Sequence, residues 1–151
     1  MSLTTDQERV AYVDKVIDET YDEREGTDYD KAWSLIHSAL QRSNPCSDYL
    51  ERTTSGPASW AILGTDDVAV TDEAIVTCAR AESVAQAAEF LSTIDAEQIR
   101  IQLSSAIAAH DCRNLSDEDA EYAAAWYPRL KDFYMRAAKA RSPVIFLGDL
   151  V

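Results

Sequence analysis

From Glu82 to Ser142 the chain contains no glycine and a single proline, Pro128, while apolar residues return every three or four positions. Such a span has few places to turn sharply, and its periodicity fits successive amphipathic helices packed by one face. Val84, Ala87, Ala88, Leu91 and Ile94 share a face of a first helix that begins at about Glu82. Asp95, with Gln98 three residues on, has the spacing of a capping box and opens a second helix through Ile99, Leu103 and Ile107. Ser116 followed by Asp117, Glu118 and Asp119 starts a third, because a cap oxygen and early acids suit the positive end of a helix dipole. Along it Tyr122, Trp126, Leu130, Phe133 and Ala137 recur at helical spacing, and Arg136, Lys139 and Arg141 gather near its end. Pro128 inside this pattern predicts a kink or a break around Tyr127.

The first half reads differently. Thr5 and Glu8 form a capping-box pair ahead of Val10, Val13, Ile17 and Tyr21, which predicts a helix over 5–23 ended by the acidic turn with Gly26. A second helix over 29–42, capped by Asp28 or Thr27, places Trp33, Ile36, His37 and Leu40 on one face. Pro45, Gly56 and Pro57 mark the stretch 43–59 as loop with at most a short helical turn. Trp60 to Gly64 is a short apolar run, Thr65 to Glu73 reads as a connection, and Ala74 to Ala79 suits a buried strand. Pro143 stops the last helix, and Val144 to Gly148 reads as a terminal strand, apolar enough for a central place in a small sheet or burial on both faces. The fold class is α+β: a helix-rich single domain over 1–151 with a small sheet that includes a C-terminal strand.

Charge narrows the function classes. Asp and Glu total 27 against 14 for Lys and Arg, a formal net charge of −13, so phosphate backbones and anionic membrane surfaces are repelled. Residues 1–30 concentrate the imbalance, with ten acids against Arg9, Lys15 and Arg24. Residues 129–141 reverse it, with Arg129, Lys131, Arg136, Lys139 and Arg141 against Asp132. Charge runs of this kind are usually solvated helix faces; as a functional feature, the acidic one would dock a basic protein or a small cationic ligand. Nucleic acid and membrane are not expected partners. Cys46, Cys78 and Cys112 are odd in number, show no CxxC spacing and follow no signal-like leader, which suits free thiols in the cytoplasm.

Several blocks together resemble a known family. The stretch Asp28 to Leu40, the AILG of Ala61 to Gly64, the passage from Ala74 to Arg100 and the closing segment from Leu130 to Asp149 are similar in order and spacing to the YfbM-like bacterial proteins, domain of unknown function 1877. The most recognisable block is Asp30, Lys31, Trp33, His37 and Leu40. The resemblance covers most of the chain and implies an α+β fold of about this length, in bacteria, with no established activity. Two regions depart from the family pattern: the chain starts directly with a capped helix, and residues 106–114 (AIAAHDCRN) stand where many members carry Ile-Tyr-Pro.

Candidate chemistry is sparse. His37 lies one turn after Trp33, where an imidazole serves either as core or as a general base or ligand. The catalytic reading makes the protein a hydrolase-like enzyme with a pocket around Trp33, His37 and Trp60, and with an acid such as Asp30 on the ring. His110, Asp111 and Cys112 could be joined with Cys46 and His37 into a zinc site or a Cys-His dyad, but neither CxxC nor HExxH spacing occurs, so no metal is expected. Acid pairs such as Asp66 with Asp67 and Asp117 with Asp119 suit surface or cap positions. The four glycines, at 26, 56, 64 and 148, form no phosphate cradle, and no cofactor is expected. The stripe 122, 126, 130, 133 reads as core, which leaves Tyr127 and Tyr134 on another face for a groove or partner contact. The leading reading is a non-enzymatic binding module; the binding candidates are Trp33, His37, Trp60, Tyr127 and Tyr134.

Overall fold

A computed structural model describes residues 5–20, 32–47, 55–72 and 74–149. The order of elements is α1 (Asp6–Thr20), α2 (Trp33–Gln41), α3 (Pro57–Leu63), β1 (Asp66–Val70), β2 (Ala74–Ala79), α4 (Ala81–Ser92), α5 (Ala96–Ala109), α6 (Asp117–Ala140) and β3 (Val144–Asp149). Capping chemistry sets several starts. Thr5 N donates to Glu8 Oε2 at 3.1 Å and Glu8 N to Thr5 Oγ1 at 3.2 Å ahead of α1, and Asp95 and Gln98 exchange the same pair of bonds at 2.8 Å ahead of α5. At α6, Ser116 N donates to Asp119 Oδ2 at 2.7 Å, so this acid is part of the cap. The expected second helix begins at Trp33; its proposed caps, Thr27 and Asp28, lie outside the described residues, as does the end of the first helix beyond Thr20.

The three strands form an antiparallel sheet in the order β1-β2-β3. Helices α4, α5 and α6 are inserted between β2 and β3 in the chain, and β3 returns alongside β2 with Ile75 opposite Gly148, Thr77 opposite Phe146 and Ala79 opposite Val144. Ile75, Ala79, Val144 and Phe146 join the main core with α2, α3 and α4–α6. On the other face Val76 and Ala69 are buried, and α1 touches all three strands. Among the described residues no helix is long and apolar enough to cross a membrane.

Two expectations for the sheet are corrected. Asp66–Val70, read as a connection, is strand β1, paired with β2 through an irregularity between Asp67 and Ala69. Its two leading acids hide the strand signal, since only Ala69 of the five is buried. The terminal strand β3 is an edge, and β2 holds the centre. Burial along β3 alternates accordingly, with Val144 and Phe146 inside and Ile145 59% exposed. Helix α6 also runs through Pro128 without a break. The proline side chain is exposed, and buried Tyr127 and Leu130 on either side of it hold the turn in place.

The corner between α3 and β1 is tight. Gly64 has φ +58°, its N–H donates to Trp60 O at 3.2 Å, and Thr65 N donates to Cys78 O at 2.7 Å. A Cβ at Gly64 would collide with the Cys78 carbonyl, so the corner needs glycine for space as well as for backbone angle.

Candidate functional site

Helix α2 carries most of the residues singled out for chemistry. It holds no charged side chain, and only Ser34 of its nine residues is not buried. Trp33 meets Phe146 of β3 edge-on, with ring centroids 5.3 Å apart, and lies against Gly148. His37 is 1% exposed. Its Nε2 is 2.5 Å from Gln41 Nε2, one turn further on. Which of the two nitrogens donates depends on the tautomer of the ring. The proposed acid partner, Asp30, lies outside the described residues.

Trp60 is half-buried on α3, and α3 packs against α2. Its carbonyl accepts the Tyr134 hydroxyl at 3.1 Å. The structure therefore links Trp60 with Tyr134, but through backbone in the interior. Tyr127 is 1% and Tyr134 2% exposed, both on the inward face of α6. The Tyr127 hydroxyl donates to Leu91 O at 3.0 Å, at the end of α4. Burial pushes both phenols well above the usual tyrosine value, with the Asp95 charge adding to the effect at Tyr127. The face of α6 that remains half-open is the neighbouring one. There Tyr122 and Trp126 pack edge-on, and the Arg129 guanidinium lies over the Trp126 ring, 4.3 Å from its centroid. The Trp-to-Arg spacing of three residues was the available signal for that stack.

Cys46 and Cys112 correct another expectation: they form a disulfide across 66 residues, with Cα atoms 5.8 Å apart, and Cys78 alone of the three is a free thiol. Both bonded cysteines lie in connections, one in the turn after α2 and the other between α5 and α6, and the close approach of these connections is a property of the packed helices. No local spacing announces it. The Cys78 thiol is pushed up by burial and by Asp66, against a smaller opposing pull from Arg80. His110 and Asp111 are exposed, Asp111 in a left-handed backbone conformation, and they share no metal-holding cluster with the cysteines. Among the described residues no group of three His, Cys, Asp or Glu side chains could hold a metal ion. Asp66 accepts from Thr65 Oγ1 at 2.9 Å and pairs with Arg80 at 3.4 Å, so that acid serves the β1 entry.

Comparison with known proteins agrees with this architecture. The solved structure of YfbM from Escherichia coli, a protein of unknown function, superposes with a TM-score of 0.59 at 18% identity, over 95% of this chain and 94% of that one. No curated protein matches the sequence. The family model described as a domain of unknown function, DUF1877, matches residues 2–147, and the chain belongs to that family.

Proposed function

We propose that the protein is a binding module that engages a basic protein or a small cationic ligand through the acidic face of α1. The observation that carries this reading is the pair Asp14 and Asp18. They are exposed one turn apart, and among the described residues neither makes an ion pair. Like charges at this spacing disfavour the isolated helix by a few tenths of a kcal/mol, a cost that a bound cation relieves. Tyr12, 54% exposed on the same helix, adds apolar surface for a partner. A hydrolytic role for His37 finds no comparable support, because a ring at 1% exposure meets substrate only if α2 opens.

The test uses a short polylysine peptide as probe. Affinity falls steeply between low and high salt, and the double variant Asp14→Asn with Asp18→Asn weakens it several-fold more than Glu89→Gln with Glu121→Gln, which removes equal charge elsewhere. Equal losses from the two double variants would reduce the binding to overall net charge and remove α1 as the site.

A further inference from the structure

We infer that Cys46 is a site of reversible thiol–disulfide exchange, with a small thiol as its reaction partner and Cys112 as the resolving cysteine. The two sulfurs of the bond are not equivalent. Cys46 is exposed, in the turn that follows α2, whereas Cys112, within the α5–α6 connection, is 8% exposed. An incoming thiolate needs access to the sulfur it attacks, and the solvent-exposed residue of the pair is Cys46.

The two halves are also anchored differently. The Cys112 side is held by Cys112 N to Ile107 O at 3.2 Å and Leu115 N to Cys112 O at 3.1 Å, which tie it to α5 and to the entry of α6. On the Cys46 side the hydrogen bonds stay local. Ser43 N donates to Ser38 O at 3.0 Å, Cys46 N to Asn44 Oδ1 at 2.9 Å, and Ser47 N and Oγ to Asn44 O at 3.2 and 2.8 Å. The disulfide and the Asn44 contact with Cys112 link this turn to the α5–α6 connection. Asn44 Oδ1 lies 3.8 Å from Cys112 Sγ, placed to accept the thiol proton once that sulfur is released.

The exchange runs in two steps. A thiolate RS⁻ attacks Cys46 Sγ, a new S–S bond joins it to R, and the Cys46–Cys112 bond breaks with its electron pair on Cys112, which takes a proton from water. A second RS⁻ attacks the R sulfur of the mixed disulfide, releasing RSSR and the Cys46 thiolate. The protein gains two electrons and two protons, and two RSH become RSSR; RSSR drives the reverse sequence. Reduction frees the turn 43–47 and leaves the α5–α6 connection in place.

Glutathione buffers of graded ratio, applied to the folded full chain, test the proposal. Peptide mapping after acid quench is expected to find the glutathione adduct on Cys46. Tryptic cleavage after the exposed Arg42 is expected to speed up about tenfold on reduction, since a freed turn opens more often. Cys46→Ser is cleaved at the fast rate under both conditions, and Cys78→Ser behaves as the parent chain. An adduct confined to Cys112 or Cys78, a bond that does not form in oxidised glutathione, or cleavage at Arg42 indifferent to redox state would each overturn the proposal. If Cys46→Ser fails to fold, the adduct position and the redox-dependent cleavage in the parent chain still decide.

Discussion

Helices α1 and α2 look alike as periodic patterns, yet one is half-buried along a single face and the other almost wholly buried. Val10, Val13, Ile17 and Tyr21 space themselves much as Trp33, Ile36, His37 and Leu40 do. Helix α1, however, carries seven formal charges in fifteen residues, and none of its described side chains is fully buried. Helix α2 carries no charge and is enclosed on nearly every side, including its polar residues Ser38 and Gln41. Periodicity finds a helix; the charge on its remaining faces decides how many neighbours it accepts. Desolvating a Lys or an Asp without a partner costs more than a valine face returns, so α1 rests on the sheet by one side only.

The sharpest way to break this contrast is to cut equivalent apolar groups from both helices. Ile36→Ala is expected to cost about 2–5 kcal/mol, and Val13→Ala about 1 kcal/mol or less, in denaturant titrations of the oxidised chain. Equal losses would mean that α1 is as deeply built in as α2. Reduction of the Cys46–Cys112 bond at the end of α2 is expected to lower global stability by about 2–4 kcal/mol, because its closed loop of 66 residues restricts the unfolded chain. Calorimetry with and without a dithiol reads this as a lower melting temperature.

Next in size is Tyr134→Phe, which leaves the Trp60 carbonyl with one donor fewer in the interior and is expected to cost about 1–2 kcal/mol. The same phenols set an alkaline limit. Tyr127 and Tyr134 hold their protons above the ordinary tyrosine value in the folded state, while the unfolded chain releases them near pH 10. Stability is therefore fully present below about pH 10 and declines as pH rises beyond it. Ultraviolet difference spectra should show these two rings ionising last, together with unfolding.

The smallest effect belongs to the α1 clasp on β1. Arg9 Nη1 donates to Val68 O at 3.3 Å and to Asp6 Oδ1 at 3.2 Å, and Val70 N donates to Asp6 Oδ2 at 3.2 Å. Arg9→Ala is expected to cost only about 0.5 kcal/mol, because the guanidinium is substantially exposed. A loss above about 2 kcal/mol would make the clasp a principal fastening of the helix.

The helices of the second half were legible in the sequence because cap residues and apolar spacing agree there, as at Asp95 and Gln98. Helix α2 was legible from apolar spacing alone, since the caps read for it lie outside the described residues. Strand β1 was not, since Asp66 and Asp67 give a short half-buried strand the composition of a loop. In α6 the stripe Tyr122, Trp126, Leu130 and Phe133 reads as core from the sequence, with Tyr127 and Tyr134 on another face open to a partner; it is this second set, together with Leu130, that is fully buried. The second faces inward because main-chain carbonyls of Leu91 and Trp60 meet the two hydroxyls, a match that exists only after α3 and α4 are in place. The disulfide was hidden for an equivalent reason.

Gly64 bears on how such a chain can diverge. Its neighbours can exchange one side chain for another and repack, but any atom added at this corner strikes the central strand. In a saturation-mutagenesis survey the position should tolerate nothing else, and it offers a fixed point for superposing distant relatives whose remaining residues have drifted.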